Sequence, residues 1–144
     1  MTTEDLKARI KKHEGFVPKI YRDSLGYATI GYGHLVLPTD HFQDGVEYSE
    51  KELNEVFEKD FQNALDNANK LIGDIPLVYQ AKEVICEMVF QLGIGGVSKF
   101  KNMWKALEEG DYYTASVEML DSRWAKQTPK RAESLSNIMK QCRS

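Results

Sequence analysis

One change of period constrains this chain more than any other feature. Residues 19–36 read KIYRDSLGYATIGYGHLV, with aromatic and β-branched residues set around a Ser-Leu-Gly turn. That pattern predicts a β-hairpin with a third strand nearby. Residues 37–48, LPTDHFQDGVEY, read as loop. Elsewhere the apolar residues are spaced as in amphipathic helices. A short β segment in an otherwise helical chain predicts an α+β fold, a small β-containing lobe with a helical one.

Thr2 and Asp5 read as a capping box, and Leu6 and Ile10 mark one helical face up to about Glu14, where Gly15 and Pro18 end the helix. Ser49 with Glu52 opens a second helix, whose stripe of Leu53, Val56, Phe57, Ala64, Leu65 and Ala68 runs to about Leu71 and would link two lobes. Pro76 precedes the most hydrophobic helix, with Val84, Ile85, Met88, Val89 and Leu92, broken by GIGG at 93–96. Further helices are predicted from Ser98 to Glu109, from an Asp111 cap to about Leu120, and from a Thr128 cap with Pro129 behind it towards Cys142. The expected organisation is one domain over 1–144: a β-containing lobe at about 13–48, a linking helix at about 49–71, and a helical lobe at about 72–144 on which the N-terminal helix, 2–13, packs.

The 144 residues are 42% hydrophobic and 28% charged, which describes an ordinary globular chain able to bury a core without metal or disulfide staples. A net charge of −3 argues against nucleic-acid binding by bulk charge; only the lysine-rich first helix suggests it. No uncharged stretch approaches a membrane span, and the start, MTTEDLKARI, lacks the apolar run of a secretory signal. Cys86 and Cys142 form no CxxC pattern, so reduced thiols in a cytoplasmic product are expected. His13, His34 and His41 lack metal-ligand spacing, so neither metal nor cofactor is expected. Trp104 and Trp124 sit at helical spacing and read as core, Tyr112–Tyr113 as packing, Cys86 as a small buried hydrophobe, and Cys142 as exposed.

Two carboxylates suggest chemistry. Glu14 continues the Leu6–Ile10 face at the C-terminal end of its helix, where burial and the helix dipole both disfavour the ionised form. A carboxylic acid kept protonated near neutral pH is what general acid catalysis requires, although position alone favours a glutamate at a frayed helix end or one tied to an arginine. Asp23 lies where a strand meets a turn, a place where aspartate is common and stays exposed and ionised. Together they fit the logic of a glycosidase, an acid for the leaving oxygen and a solvated carboxylate for the opposite face of the sugar. Thr29 would hold a water against Asp23. Alternation places Thr29, Gly31 and Gly33 on one strand face and Ile30, Tyr32 and His34 on the other.

The run E-G-F-x-x-K-I-Y-R-D-S-x-G-Y-x-T-I-G-Y-G-H-L from Glu14 resembles the signature of phage-type lysozymes of the T4 lysozyme family. MVFQLG at 88–93 resembles that family's central helix, and SRWAKQTPKRA at 122–132 resembles its C-terminal lobe, so the likeness spans nearly the whole chain. The resemblance implies a lysozyme-like α+β fold, with Glu14 as general acid, Asp23 as second carboxylate and Thr29 positioning the attacking water. It further implies that Leu35 and Phe90 line the sugar-binding cleft, that Arg131 stands next to the acid, and that Asp60 pairs with His34 in a structural role. The stretch between His34 and the linking helix and the tail past Arg131 are both short, and Met103 and Glu118 occupy two positions that bind substrate in relatives.

The implied reaction is hydrolysis of the β-1,4 bond between N-acetylmuramic acid and N-acetylglucosamine in bacterial peptidoglycan, with inversion. The implied protein is a monomer with no cofactor, no nucleic-acid partner and no stable membrane insertion. Its expected place is the host cytoplasm until a holin gives it access to the wall, or alternatively a virion tail. Two rivals differ in class: a lytic transglycosylase, which needs no water-directing carboxylate, and an inactive wall-binding module that kept the fold.

Overall fold

A computed structural model describes residues 3–23 and 26–143. The Thr2 cap and the Ser24-Leu25 part of the predicted turn lie outside the described residues. The element order is α1 (Thr3–Glu14), β1 (Val17–Arg22), β2 (Ala28–Gly31), β3 (His34–Leu35), α2 (Glu50–Ile72), α3 (Tyr79–Ser98), α4 (Lys101–Glu108), α5 (Tyr112–Leu120), α6 (Arg123–Gln127) and α7 (Pro129–Lys140). This is an α+β architecture. Two compact units divide the chain within α2, between Asn63 and Ala64, with α1 and the sheet in the first unit.

In the first unit α1 ends at Gly15, whose φ of 75° closes the helix and whose N–H donates to the Lys11 carbonyl at 2.9 Å. Pro18 does not end the helix; it lies inside β1. The sheet order is β1-β2-β3, so β1 is an edge strand, and an edge is where a strand tolerates a residue without an N–H. The register also shifts between Val17 and Tyr21, an irregularity that takes the strand off regular pairing beside the proline.

The stretch read as one strand from Tyr27 to His34 folds back on itself. β2 stops at Gly31, Tyr32 and Gly33 turn the chain, and Ile30 pairs with His34 on β3. Gly31 and Gly33 have φ of 67° and 77°, backbone that other residues rarely adopt, and this bends the chain where simple alternation predicts a continuous strand. Side chains of α1 reach α2 through Lys7, 2.8 Å from Glu58, and through Lys11, which bonds Asn54 and lies over the rings of Tyr32 and Phe57.

Helix α2 is capped as predicted: Ser49 Oγ accepts from the Glu52 N–H at 3.1 Å and donates to the Glu52 carboxylate at 3.3 Å. Its buried line is Leu53, Phe57, Phe61, Ala64, Ala68 and Ile72. Val56 and Leu65, assigned to that line from sequence, flank it half-buried, and Phe61 takes the central place. Each such large side chain stabilises the fold by about 1.5–3 kcal/mol when fully buried.

In the second unit α3 is broken at Gly93 (φ 79°, ψ 164°), as the GIGG run predicts, and a further helical stretch continues beyond the kink through Ser98. Helix α4 therefore begins at Lys101 and not at Ser98. Asp111 caps α5, accepting from the Thr114 N–H at 3.0 Å. Thr128 precedes Pro129 at the start of α7, yet its side chain makes no cap bond; its hydroxyl donates to the Trp124 carbonyl at 3.2 Å. The short α6 was not read from sequence. Trp124 and Tyr112 are buried, whereas Trp104 is half-buried and Tyr113 exposed, against the expectation of packing for all four. Cys86 is buried; Cys142 is half-buried, and both are free thiols. No helix of the described residues is long and apolar enough to cross a membrane.

Candidate active site

The site begins where two elements end. Glu14 is the last residue of α1, half-buried. The Tyr32-Gly33 turn meets it: a Cβ built on Gly33 would overlap the Glu14 carboxylate, 2.9 Å from its Cδ. Only glycine leaves that carboxylate its place, and the φ of 77° at Gly33 favours glycine independently.

Asp23 follows β1, half-buried and not fully exposed as the turn position suggested. Its Oδ1 accepts from the Tyr27 N–H at 2.9 Å, while its own N–H donates to the Tyr27 carbonyl at 2.9 Å. Thr29, on β2, is only 5% exposed, and its Oγ1 donates to that same Tyr27 carbonyl at 3.0 Å. One residue's main chain therefore holds both the carboxylate and the hydroxyl.

Across the sheet Thr29 pairs with Tyr21 on β1 and with Leu35 on β3, so these three side chains share one face. Burial pushes the Tyr21 phenol up from its ordinary pKa, and the negative charges of Glu14 and then Asp23 push it further. Tyr21 thus stands in the field of both carboxylates and stays a neutral phenol near neutral pH. It was not singled out from sequence, although KIYRD places it two residues before Asp23, the spacing of one strand face.

His34 has its Nδ1 2.7 Å from Asp60 Oδ2 on α2, the partner implied by the resemblance, and its Nε2 2.8 Å from Asp40 Oδ2. Asp40 gave no periodic signal, because it lies in the loop after β3. Leu35 is exposed.

The other expected site residues belong to the second unit. Arg131, on α7, is buried and donates from Nε to Glu87 Oε2 at 3.0 Å. Phe90, on α3, is half-buried. Met103 and Glu118 line a cleft of about 470 Å³ together with Lys99, Arg123 and Trp124. The Trp124 indole N–H donates to Gln91 Oε1 at 2.8 Å. No group of three or more His, Cys, Asp or Glu among the described residues is arranged to hold a metal.

The phage lysozyme family model matches residues 11–141. This chain belongs to the phage lysozyme family. A probable T4-type lysozyme of Dictyostelium discoideum is 30% identical, the alignment covering 92% of each chain. A pre-baseplate central spike protein of Enterobacteria phage T4 is 30% identical over 90% of this chain but only 26% of its own length. A peptidoglycan hydrolase of Pseudomonas phage phiKMV is 26% identical over 88% of this chain and 14% of its own. As a member of the phage lysozyme family the protein is a lysozyme-type glycoside hydrolase acting on the bacterial cell wall.

Proposed function

We propose that the chain hydrolyses the β-1,4 bond between N-acetylmuramic acid and N-acetylglucosamine in peptidoglycan, with Glu14 as general acid and Asp23 and Thr29 directing the water. The observation that carries this reading is the main chain of Tyr27, which bonds both the Asp23 carboxylate and the Thr29 hydroxyl. The Thr29 hydroxyl proton is spent on the Tyr27 carbonyl, so Thr29 meets a water as an acceptor, as Asp23 does. A water donating one proton to each turns its lone pairs towards the sugar. Glu14 gives its proton to the leaving oxygen as oxocarbenium character develops, water oxygen bonds the anomeric carbon, and Asp23 takes the proton that water loses. Attack from the face opposite the acid inverts the anomeric centre.

Leu35, beside Thr29 across the sheet, lines the sugar. Phe90 and Arg131 keep their places in the proposal on the family motif alone. We place the enzyme in phage release, as a monomeric endolysin waiting for a holin; the similarity to a spike protein favours a second setting, carriage on a virion.

The test is mass spectrometry of Gram-negative peptidoglycan digested with the wild type and with Glu14→Gln. We expect products with reducing N-acetylmuramic acid ends from the wild type, and a rate lower by about 10²–10⁴-fold from a normally folded variant. Anhydro-muramic ends would instead identify a transglycosylase, and no products from the wild type a binding module.

A further inference from the structure

His34 is engaged at both ring nitrogens by carboxylates, 2.7 Å from Asp60 and 2.8 Å from Asp40, with its side chain only 12% exposed. A neutral imidazole has one N–H. It can donate to one of these carboxylates and must then turn a lone pair on the other. Only the imidazolium donates to both, so the arrangement selects the doubly protonated ring.

Asp40 does more than face the ring. Its Oδ2 also accepts the Leu37 N–H at 2.8 Å, which folds the loop back on itself. The rest of the loop hangs from the same place. Phe42 meets the His34 ring edge-on at 6.2 Å and the Tyr48 ring at 4.9 Å. The Tyr48 hydroxyl accepts the Gln43 N–H at 2.8 Å, and the Tyr48 N–H donates to the Pro18 carbonyl of β1 at 2.8 Å.

We propose that His34 and Asp40 form a proton-operated latch holding the loop of residues 36–49 on the three-stranded sheet, closed while the ring carries both protons and released when it loses one. This goes beyond the wall-cleaving reading and does not depend on it. The titratable groups that act on the latch are Asp60 from α2, Asp40 from the loop, and His41 beside Asp40; across the sheet His34 faces Ile30, which is apolar. When the ring is neutral one carboxylate must yield. Asp60 is fixed on a 23-residue helix, whereas Asp40 sits on a loop, so the Asp40 bond is the one that opens.

The sign follows from both partners. Burial opposes charge on His34, but the hydrogen bonds the ring donates to Asp60 and Asp40, and then the charges of those carboxylates, outweigh it and raise the pKa above the usual 6.5. A raised histidine pKa means the closed state is fully favoured below the ordinary value and is lost as pH rises through the raised one. Burial likewise opposes charge on Asp40, but the Leu37 N–H and His34 outweigh it and hold the carboxyl below 3.8. The acid limit of the latch therefore lies below the ordinary carboxylate range, and its working edge is the alkaline one.

The experiment uses the full chain labelled with ¹⁵N, followed from about pH 5 to about pH 9, a range that spans histidine titration. The His34 ring nitrogens report protonation, and the Leu37 amide, corrected for intrinsic exchange, reports the loop. We expect both ring protons to persist above the ordinary histidine pKa, and Leu37 protection to fall about tenfold per pH unit beyond the His34 midpoint. In Asp40→Asn, whose side-chain amide can donate to a neutral ring, the His34 midpoint should drop and Leu37 protection should lose its step. A wild-type His34 titrating at or below the ordinary value, or flat Leu37 protection through its titration, would overturn the latch. So would a step retained in Asp40→Asn. If that variant does not fold, the wild-type titration decides alone.

Discussion

At Gly33 two demands fall on one residue. The backbone there has φ of 77°, and the space above Cα is filled by the Glu14 carboxyl group. Gly33→Ala should therefore act twice. The strained φ should cost about 1 kcal/mol or more, read as a lowered midpoint of thermal unfolding. Displacement of Glu14 should lower wall cleavage by about 10²-fold, the penalty of a misplacement near 1 Å. Retention of full activity would show that the Glu14 position tolerates a neighbour and would remove Gly33 from the site. From sequence, Gly33 reads only as one of two glycines on the Thr29 face of a strand. Its true neighbour was not legible, because the turn that brings it to Glu14 depends on Gly31 and Gly33 bending a segment whose alternation looks unbroken.

At the scale of elements, the parts that depend on local chemistry were legible. Ser49 and Glu52 bond reciprocally at the start of α2, as the four-residue pattern predicts, and Asp111 caps α5 as its residue type predicts. Ser49→Ala should destabilise the protein by about 1 kcal/mol, measured as a shift in denaturant midpoint at constant slope. What failed were inferences that tertiary surroundings override. Pro18 reads as a helix stop, yet an edge strand with an irregular register accommodates it. Thr128 sits at a cap position, but its hydroxyl is drawn to the Trp124 carbonyl and to Gln91. Asp40 could not be found at all, since a loop aspartate has no period to betray its partner and its ring contact joins residues brought together by folding.

At the scale of the whole molecule, charge sets the remaining expectation. A net charge of −3 repels an anionic wall, and salt screens that repulsion. Wall lysis should therefore quicken as ionic strength rises from about 0.01 M to about 0.15 M, where the Debye length shrinks from about 30 Å to about 8 Å. Turbidity clearance of wall suspensions across that range is the check; slowing with salt would mean that a local basic surface governs approach. The three residues proposed for the chemistry, Glu14, Asp23 and Thr29, all come from the first unit, within one short run of chain that sequence alone could mark. The cleft of the second unit, with Met103 and Glu118 in its wall, could not be drawn before folding assembled it from α3, α4, α5 and α6.

Asp23 and Thr29 lean on the amide and carbonyl of Tyr27, while Tyr27 as a residue is 58% exposed. The scaffold and the decoration at that position are thus separable. An engineer can exchange the side chain at 27 to reshape the rim of the site, and the two groups behind it stay tethered to atoms that every replacement except proline would still supply.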